Sequence, residues 1–335
     1  MRGLRCICNM SDEKQLNFLQ PEPHPLDPLK PRLKRWTERG VRFGTSSWKY
    51  QGWVGQLYTP DRYFTRGKFS RDKFEQHALE EYTEFFPTVF GDFAFYQLYP
   101  DMYWQKLFAQ VPSTFQFCFK APELITAPVF PDHDRYGRNR GKPNENFLNF
   151  DLLRREYLDR LLSYRDQTGA IVFQFPQFSK STLAKTDGFT TKLDEFLGRL
   201  PNEFRYGVEM RTESLLGASY FDCLRQHRVA HVFNSWTRMP TIGEQLAMPG
   251  SITTDLVISR SLLKPGRAFE EAVRMFQPYN QVRDPYPQGY KDVAALARTA
   301  SERVPKTRSF IFVNNRFVGN AIVAITEILD ELEKV

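Results

Sequence analysis

Residues 206–211 read Tyr-Gly-Val-Glu-Met-Arg, an alternation that at the two-residue period of a strand puts Tyr206, Val208 and Met210 on one face and Gly207, Glu209 and Arg211 on the other. Burying either charge alone would cost several kcal/mol, so the charged face has to meet complementary groups from elsewhere in the chain. Similar short runs predict strands at 41–46, 88–96, 115–120, 170–175, 229–234, 255–260 and 310–315. Between them the apolar period lengthens toward that of a helix. Phe74, Ala78, Tyr82 and Phe85 form one stripe of a helix over 69–86, and further helices are expected at 101–110, 151–166, 190–200, 214–227, 290–303 and 319–332. The weak unit is 234–255, where Met239-Pro240 and Met248-Pro249-Gly250 leave little room for a helix.

Eight strands, mostly followed by helices, call for a parallel sheet with right-handed crossovers. Eight such units close naturally into a (β/α)8 barrel, so the expected fold is an α/β, TIM-barrel-like single domain over 41–335. An open doubly wound sheet competes, but no glycine-rich G-x-G-x-x-G turn follows the first strand. Residues 1–40 carry Pro21, Pro23, Pro25, Pro28 and Pro31 and predict an extended, polar arm without a periodic apolar face. Met10 is an alternative start, which would omit Cys6 and Cys8.

In such a barrel the last inward side chains of each strand build the site. Phe115, Phe117 and Phe119 share the face that meets the helices, which leaves Gln116, Cys118 and Lys120 pointing in. The same reasoning turns in Gln174, Asp92 and Tyr96, and on the first strand Gly44, Ser46 and Trp48; Arg260, Asn314 and Asn315 end their strands. Glu209 is the candidate general acid or base. Lys120 and Arg211 would fix and stabilise negative charge, Arg260 would hold an anionic group, and Gln174 and Asn314 would orient the ligand. Trp48 and Tyr96 suit stacking on a sugar ring or, equally, a place in the core. Each polar candidate has a plainer reading too: an ion pair of Glu209 with Lys120 or Arg211 that only fills the barrel, and an Asn314-Asn315 pair that only shapes a turn.

Composition narrows the classes. Hydrophobic residues make up 41%, aromatics 15% and charged residues 25%, with 30 Phe and 15 Tyr, which is globular usage and excludes wholesale disorder. The net charge is +7, but the first 40 residues hold eight Lys/Arg against five Asp/Glu, so the rest of the chain carries only +4 and nucleic acid is a weak expectation. Four cysteines in this length make no disulfide framework, and no apolar run approaches the roughly 20 residues of a membrane span, so a soluble cytoplasmic protein is expected. Of the five histidines, His24, His77, His133 and His227 fall outside strand ends and His231 lies mid-strand, so neither a catalytic metal nor a cofactor is expected. Long loops at 131–146 (Arg135, Arg138, Arg140, Lys142) and 264–288 (Lys264, Arg267, Arg274, Arg283) read as a basic rim for a phosphate or carboxylate, or as solvated loops.

Several spaced motifs resemble a known family. Gly44-Thr45-Ser46-Ser47-Trp48 with Tyr50 and Trp53 is similar to the GTSGW-Y-W opening of the YecE-like family, domain of unknown function 72. Residues 117–122 (FCFKAP), 173–176 (FQFP), 208–211 (VEMR) and 312–321 (FVNNRFVGNA) resemble its KAP, QLP, VEFR and FNN-G-A segments in the same order. The resemblance spans about 41–332 and implies a TIM-barrel-like fold with no established reaction. Departures fall at Phe90, where the family has Glu, at Asp92, where it has Asn, at Ala127, where it has His, and after Arg260, where its glycine-containing continuation is missing; they imply an altered or lost activity. The function expected is binding of a small polar or anionic ligand, such as a sugar or sugar phosphate, with general acid/base chemistry. The alternative is a non-enzymatic module that uses the basic arm and rim on RNA or DNA, which salt dependence would separate.

Overall fold

The computed structural model describes residues 23–179, 188–303 and 308–334. Eight strands close into a barrel: β1 (Val41–Thr45), β2 (Thr88–Gly91), β3 (Gln116–Lys120), β4 (Thr168–Phe175), β5 (Tyr206–Met210), β6 (Ala230–Ser235), β7 (Leu256–Ser261) and β8 (Arg308–Val313). Each is parallel to its sequence neighbours, and β1 closes the ring by pairing with both β8 and β2, so the architecture is the (β/α)8 barrel that the alternation predicted. Alternation also sorts the two faces. Phe90, Cys118, Ala170, Val172, Ala230, Val232, Leu256, Ile258, Phe310 and Phe312 fill the interior, while Phe117, Phe119, Ile171, Phe173, Val208, Met210, Phe233, Ile311 and Val313 meet the helices.

The helices follow the strands closely. Arg71–Thr83 comes after β1, Asp101–Phe108 after β2, Phe189–Leu197 after β4, Ala218–Gln226 after β5, Pro287–Glu302 after β7 and Ala321–Glu333 after β8. Helical turns from Phe150 to Gln167 follow β3 and include a π turn at Arg154–Leu158. Among the described residues no helix is long and apolar enough to cross a membrane.

Four expectations are corrected. The unit after β6 does hold a short helix, Ile242–Ala247, because Thr241 and Glu244 form a reciprocal capping box between the two proline breaks. The long loop after β7 holds a second helix, Phe269–Phe276, which buries Ala272 and Phe276. The strand expected over 88–96 ends at Gly91 and becomes a 3-10 turn at Asp92–Phe95. Finally, the arm is not extended throughout: Leu29–Glu38 is a helix that buries Leu29, Leu33 and Trp36. Arg32 of this helix pairs with Asp330 at 2.7 Å and Glu333 at 3.0 Å, and the Trp36 indole donates to Glu333, so the helix is fastened to the last helix of the barrel. Cys6, Cys8 and Met10 lie outside the described residues.

Candidate functional site

The last inward residues of β5, β7 and β3 are Glu209, Arg260 and Lys120; all three are buried at the C-terminal end of the barrel. Asp92, at the start of the 3-10 turn after β2, joins Lys120 to Arg260, and Arg260 in turn reaches Glu209. Arg260 Nη2 lies 2.8 Å from Asp92 Oδ1 and Nη1 lies 2.5 Å from Glu209 Oε2. Lys120 Nζ lies 3.0 Å from the same Asp92 oxygen, and Arg211 Nε donates to Glu209 Oε1 at 2.8 Å. An aromatic ring backs each cation: Phe90 beneath Arg260 at 3.9 Å, Trp236 beneath Arg211 at 3.7 Å and Phe95 beneath Lys120 at 4.3 Å. Such contacts are worth about 2 kcal/mol each when desolvated, and they hold charges where water is scarce.

The cluster counts three cations and two carboxylates in contact, an excess of one positive charge. The titrations follow from that excess. Burial alone would raise both carboxyl groups, but Arg260 and Lys120 hold Asp92 down at about 2, and Arg260 and Arg211 hold Glu209 below the usual carboxylate range. Both acids are therefore ionised at neutral pH. Lys120 moves the other way: burial, joined by Arg260 and Arg211, lowers it to about 8 despite the Asp92 carboxylate beside it.

Around the charges stand polar atoms without a partner among the described residues. Gln174 sits beside Glu209 in the β4–β5 register and Asn234 beside Arg260 in the β6–β7 register. Gln174 Oε1, Asn234 Oδ1, Ser46 Oγ and Arg260 Nε are all buried and unbonded. Buried polar groups are nearly always hydrogen-bonded, so these four atoms are open to a bond from water or a ligand.

Not every expected residue joins this group. The Trp48 ring is buried edge-on against Phe93 and the outward-facing Phe117, so it belongs to the aromatic core and is no stacking platform. Tyr96 does not point inward, because the strand that would have aimed it has already ended. It is 56% exposed on the rim, with the Arg135 guanidinium 4.6 Å over its ring. Asn314 is buried, but its Oδ1 accepts from the Arg316 backbone, which is the turn-shaping role, and Asn315 Oδ1 accepts from Ala321 N on the helix side. Asn234 and Trp236 were missed; continuing the alternation Ala230, Val232 by two steps would have reached both. Phe90 and Phe95 carried no signal for cation contact. Much of the basic rim is spent on neighbours: Arg135 pairs with Glu123, Arg140 with Asp132 and Asp134, and Arg267 with Asp284.

A closed parallel barrel whose charged side chains gather at the C-terminal strand ends defines a TIM-type (β/α)8 protein with its candidate site at the usual face. Residues 42–335 match the family model described as "Protein of unknown function DUF72", and the chain belongs to that family. Among solved structures it resembles a DUF72 family protein from Thermotoga maritima, at 18% identity over 87% of this chain and 97% of that one, with a TM-score of 0.52. A DUF72 family protein from Enterococcus faecalis is similar at 16% identity over 88% and 96% of the two chains, with a TM-score of 0.55. At such identities the likeness is one of fold. No curated protein matches the chain.

Proposed function

We propose that the barrel mouth binds a small anionic ligand of the sugar phosphate or sugar acid class, and that Lys120 is the group that exchanges a proton with it. The observation that carries this reading is the uncompensated cation: among the described residues the ion pairs of Lys120, Arg211 and Arg260 are with Asp92 and Glu209, while Glu123 near Lys120 and Arg316 near Asp92 add one charge of each sign. An added phosphate or carboxylate would complete the charge balance in a site where charge-assisted hydrogen bonds are strong. The unbonded Gln174, Asn234 and Ser46 oxygens supply acceptors for the hydroxyl groups of such a ligand.

Glu209 is assigned a positioning role. Both of its oxygens are held by guanidinium groups and it stays ionised, so it has no proton to give as an acid, and a base held this way is a weak one. Lys120, lowered to about 8, is about one-tenth neutral at pH 7 and can serve as acid or base near neutrality. The nucleic-acid alternative draws less support, because Arg32 and Arg35 of the basic arm pair with acids of the last helix.

Thermal unfolding in the presence of inorganic phosphate, a hexose phosphate, the neutral hexose and a nucleotide, at matched ionic strength, tests the reading. A ligand at about 100 times its dissociation constant adds about 2.7 kcal/mol. The phosphate-bearing ligands are expected to stabilise the wild type and not Arg211→Gln. Equal stabilisation by the neutral hexose, or none by any anion, overturns the assignment.

A further inference from the structure

On the outer helices a second group of ligating side chains lies apart from the mouth. Asp194 belongs to the Phe189–Leu197 helix, Cys223 to the Ala218–Gln226 helix, and His227 caps the end of the latter. Cys223 and His227 are four residues apart, which puts them on one helical face, and the two helices follow the neighbouring strands β4 and β5, which brings Asp194 opposite that face. A carboxylate oxygen, the thiol sulfur and an imidazole nitrogen all lie within 4.8 Å of one another. His227 Nε2 is 2.7 Å from Asp194 Oδ1, and Cys223 Sγ is 4.0 Å from the same oxygen.

Local packing makes room for the imidazole. A side chain on Gly198, which ends the first helix, would bring its Cβ to 3.3 Å from His227 Cε1, closer than carbon atoms usually pack. An Asp194–His227 ion pair would account for two members of the trio. It gives no part to Cys223, whose thiol among the described residues has long polar contacts of 4.0 Å to Thr190 O and Asp194 Oδ1.

We propose that Asp194, Cys223 and His227 form a site for one divalent metal ion of borderline softness, Zn2+ foremost, with a fourth position open to water. One thiolate, one imidazole and one carboxylate make a donor set that suits Zn2+ better than Mg2+ or Ca2+. Bonds of about 2.0–2.3 Å in a tetrahedron set ligand atoms about 3.3–3.8 Å apart. The carboxylate–imidazole gap has to open from 2.7 Å and the sulfur–oxygen gap to close from 4.0 Å, which rotation of Asp194, 44% exposed, can supply. On binding, the ion sheds water, the Cys223 thiol releases its proton to solvent, and His227 coordinates through Nε2 with its remaining proton on Nδ1. His227 lies just before β6 begins, at the face opposite the mouth, so the ion would clamp two outer helices and take no part in chemistry at Lys120.

The test uses the full chain stripped of metal and titrated with Co2+, then Zn2+. One Co2+ per chain is expected, with a near-ultraviolet thiolate-to-cobalt band, visible bands of four-coordinate strength, and displacement by Zn2+. Cys223→Ser should abolish the thiolate band, His227→Gln should weaken binding by about 100-fold or more, and the Cys6→Ser/Cys8→Ser double variant should leave both unchanged. The partly exposed Asp194→Asn and His227→Gln variants decide the matter should Cys223→Ser fold poorly, since each must weaken cobalt binding. A spectrum of six-coordinate aqueous cobalt only, or a thiolate band that survives Cys223→Ser and vanishes with Cys6→Ser/Cys8→Ser, overturns the proposal.

Discussion

Arg260 shows how a single side chain can hold a site together. It is wholly buried and bonds both carboxylates of the mouth. Arg260→Met would leave Glu209, wholly buried, paired with Arg211, and Asp92, whose side chain is 26% exposed, paired with Lys120. Removing one partner of a buried ion pair typically costs about 3–5 kcal/mol, mostly through the charge left behind. That loss is expected in denaturant unfolding at pH 7, and Glu209→Gln added to Arg260→Met should recover part of it. A loss below about 1 kcal/mol would show that the pair is solvated and the mouth wetter than its burial implies. At this scale the sequence was legible where the chain stays in a strand: Lys120, Gln174, Glu209 and Arg260 all point inward as their two-residue period requires. It was not legible where the backbone leaves the strand. Asp92 reaches the site through a 3-10 turn, and the same turn sends Tyr96 to the rim, so one change of backbone path made one placement right for the wrong reason and the other wrong.

Among elements, the Leu29–Glu38 helix departs most from expectation. The proline spacing that argued against any helix stops at Pro31, which falls in the first turn, where a missing N–H costs nothing. Beyond it Leu29, Leu33 and Trp36 recur at helical spacing, and all three are buried. Three fully buried apolar side chains contribute about 1.5–3 kcal/mol each relative to exposure, before the conformational entropy of the helix is set against them. A chain that begins at Gly40 is therefore expected to melt well below the full chain, and Leu33→Ala alone should cost about 2–5 kcal/mol. An unchanged melting temperature for the shortened chain would show that the helix is a passive passenger. The helix Ile242–Ala247 was missed for a related reason: Pro240 and Pro249 bound it without entering it, and the Thr241–Glu244 box starts it sharply.

For the molecule as a whole, the barrel's count and closure could be read from alternation, because parallel strands buried on both faces still separate interior from helix-facing positions. What alternation could not supply is the balance of charge between mouth and solvent, and that balance sets how stability depends on pH. Asp92 falls from 3.8 unfolded to about 2 folded, and Glu209 is lowered as well, so their contribution is fully present above the unfolded values and is lost as pH falls through the folded ones. Lys120 gives the opposite arm. Its folded value of about 8 lies below the 10.5 of a free lysine, so between these pH values the unfolded chain holds a proton that the native one has released, and stability rises with pH. Buried tyrosines end that rise: burial pushes Tyr50 up to about 12 from 10.0 and raises Tyr58, Tyr82 and Tyr157 too, so above about pH 10 the unfolded chain ionises phenols that the native chain keeps protonated. A stability maximum near pH 9–10 is expected from these two windows together. Denaturant unfolding of wild type and Lys120→Met at pH 7, 8, 9 and 10 isolates the lysine, since the other groups largely cancel in the difference. The wild type should gain on the variant across this range by up to about 3 kcal/mol, and a difference that stays flat from pH 7 to 10 would mean that Lys120 keeps its proton and cannot be the group that exchanges one.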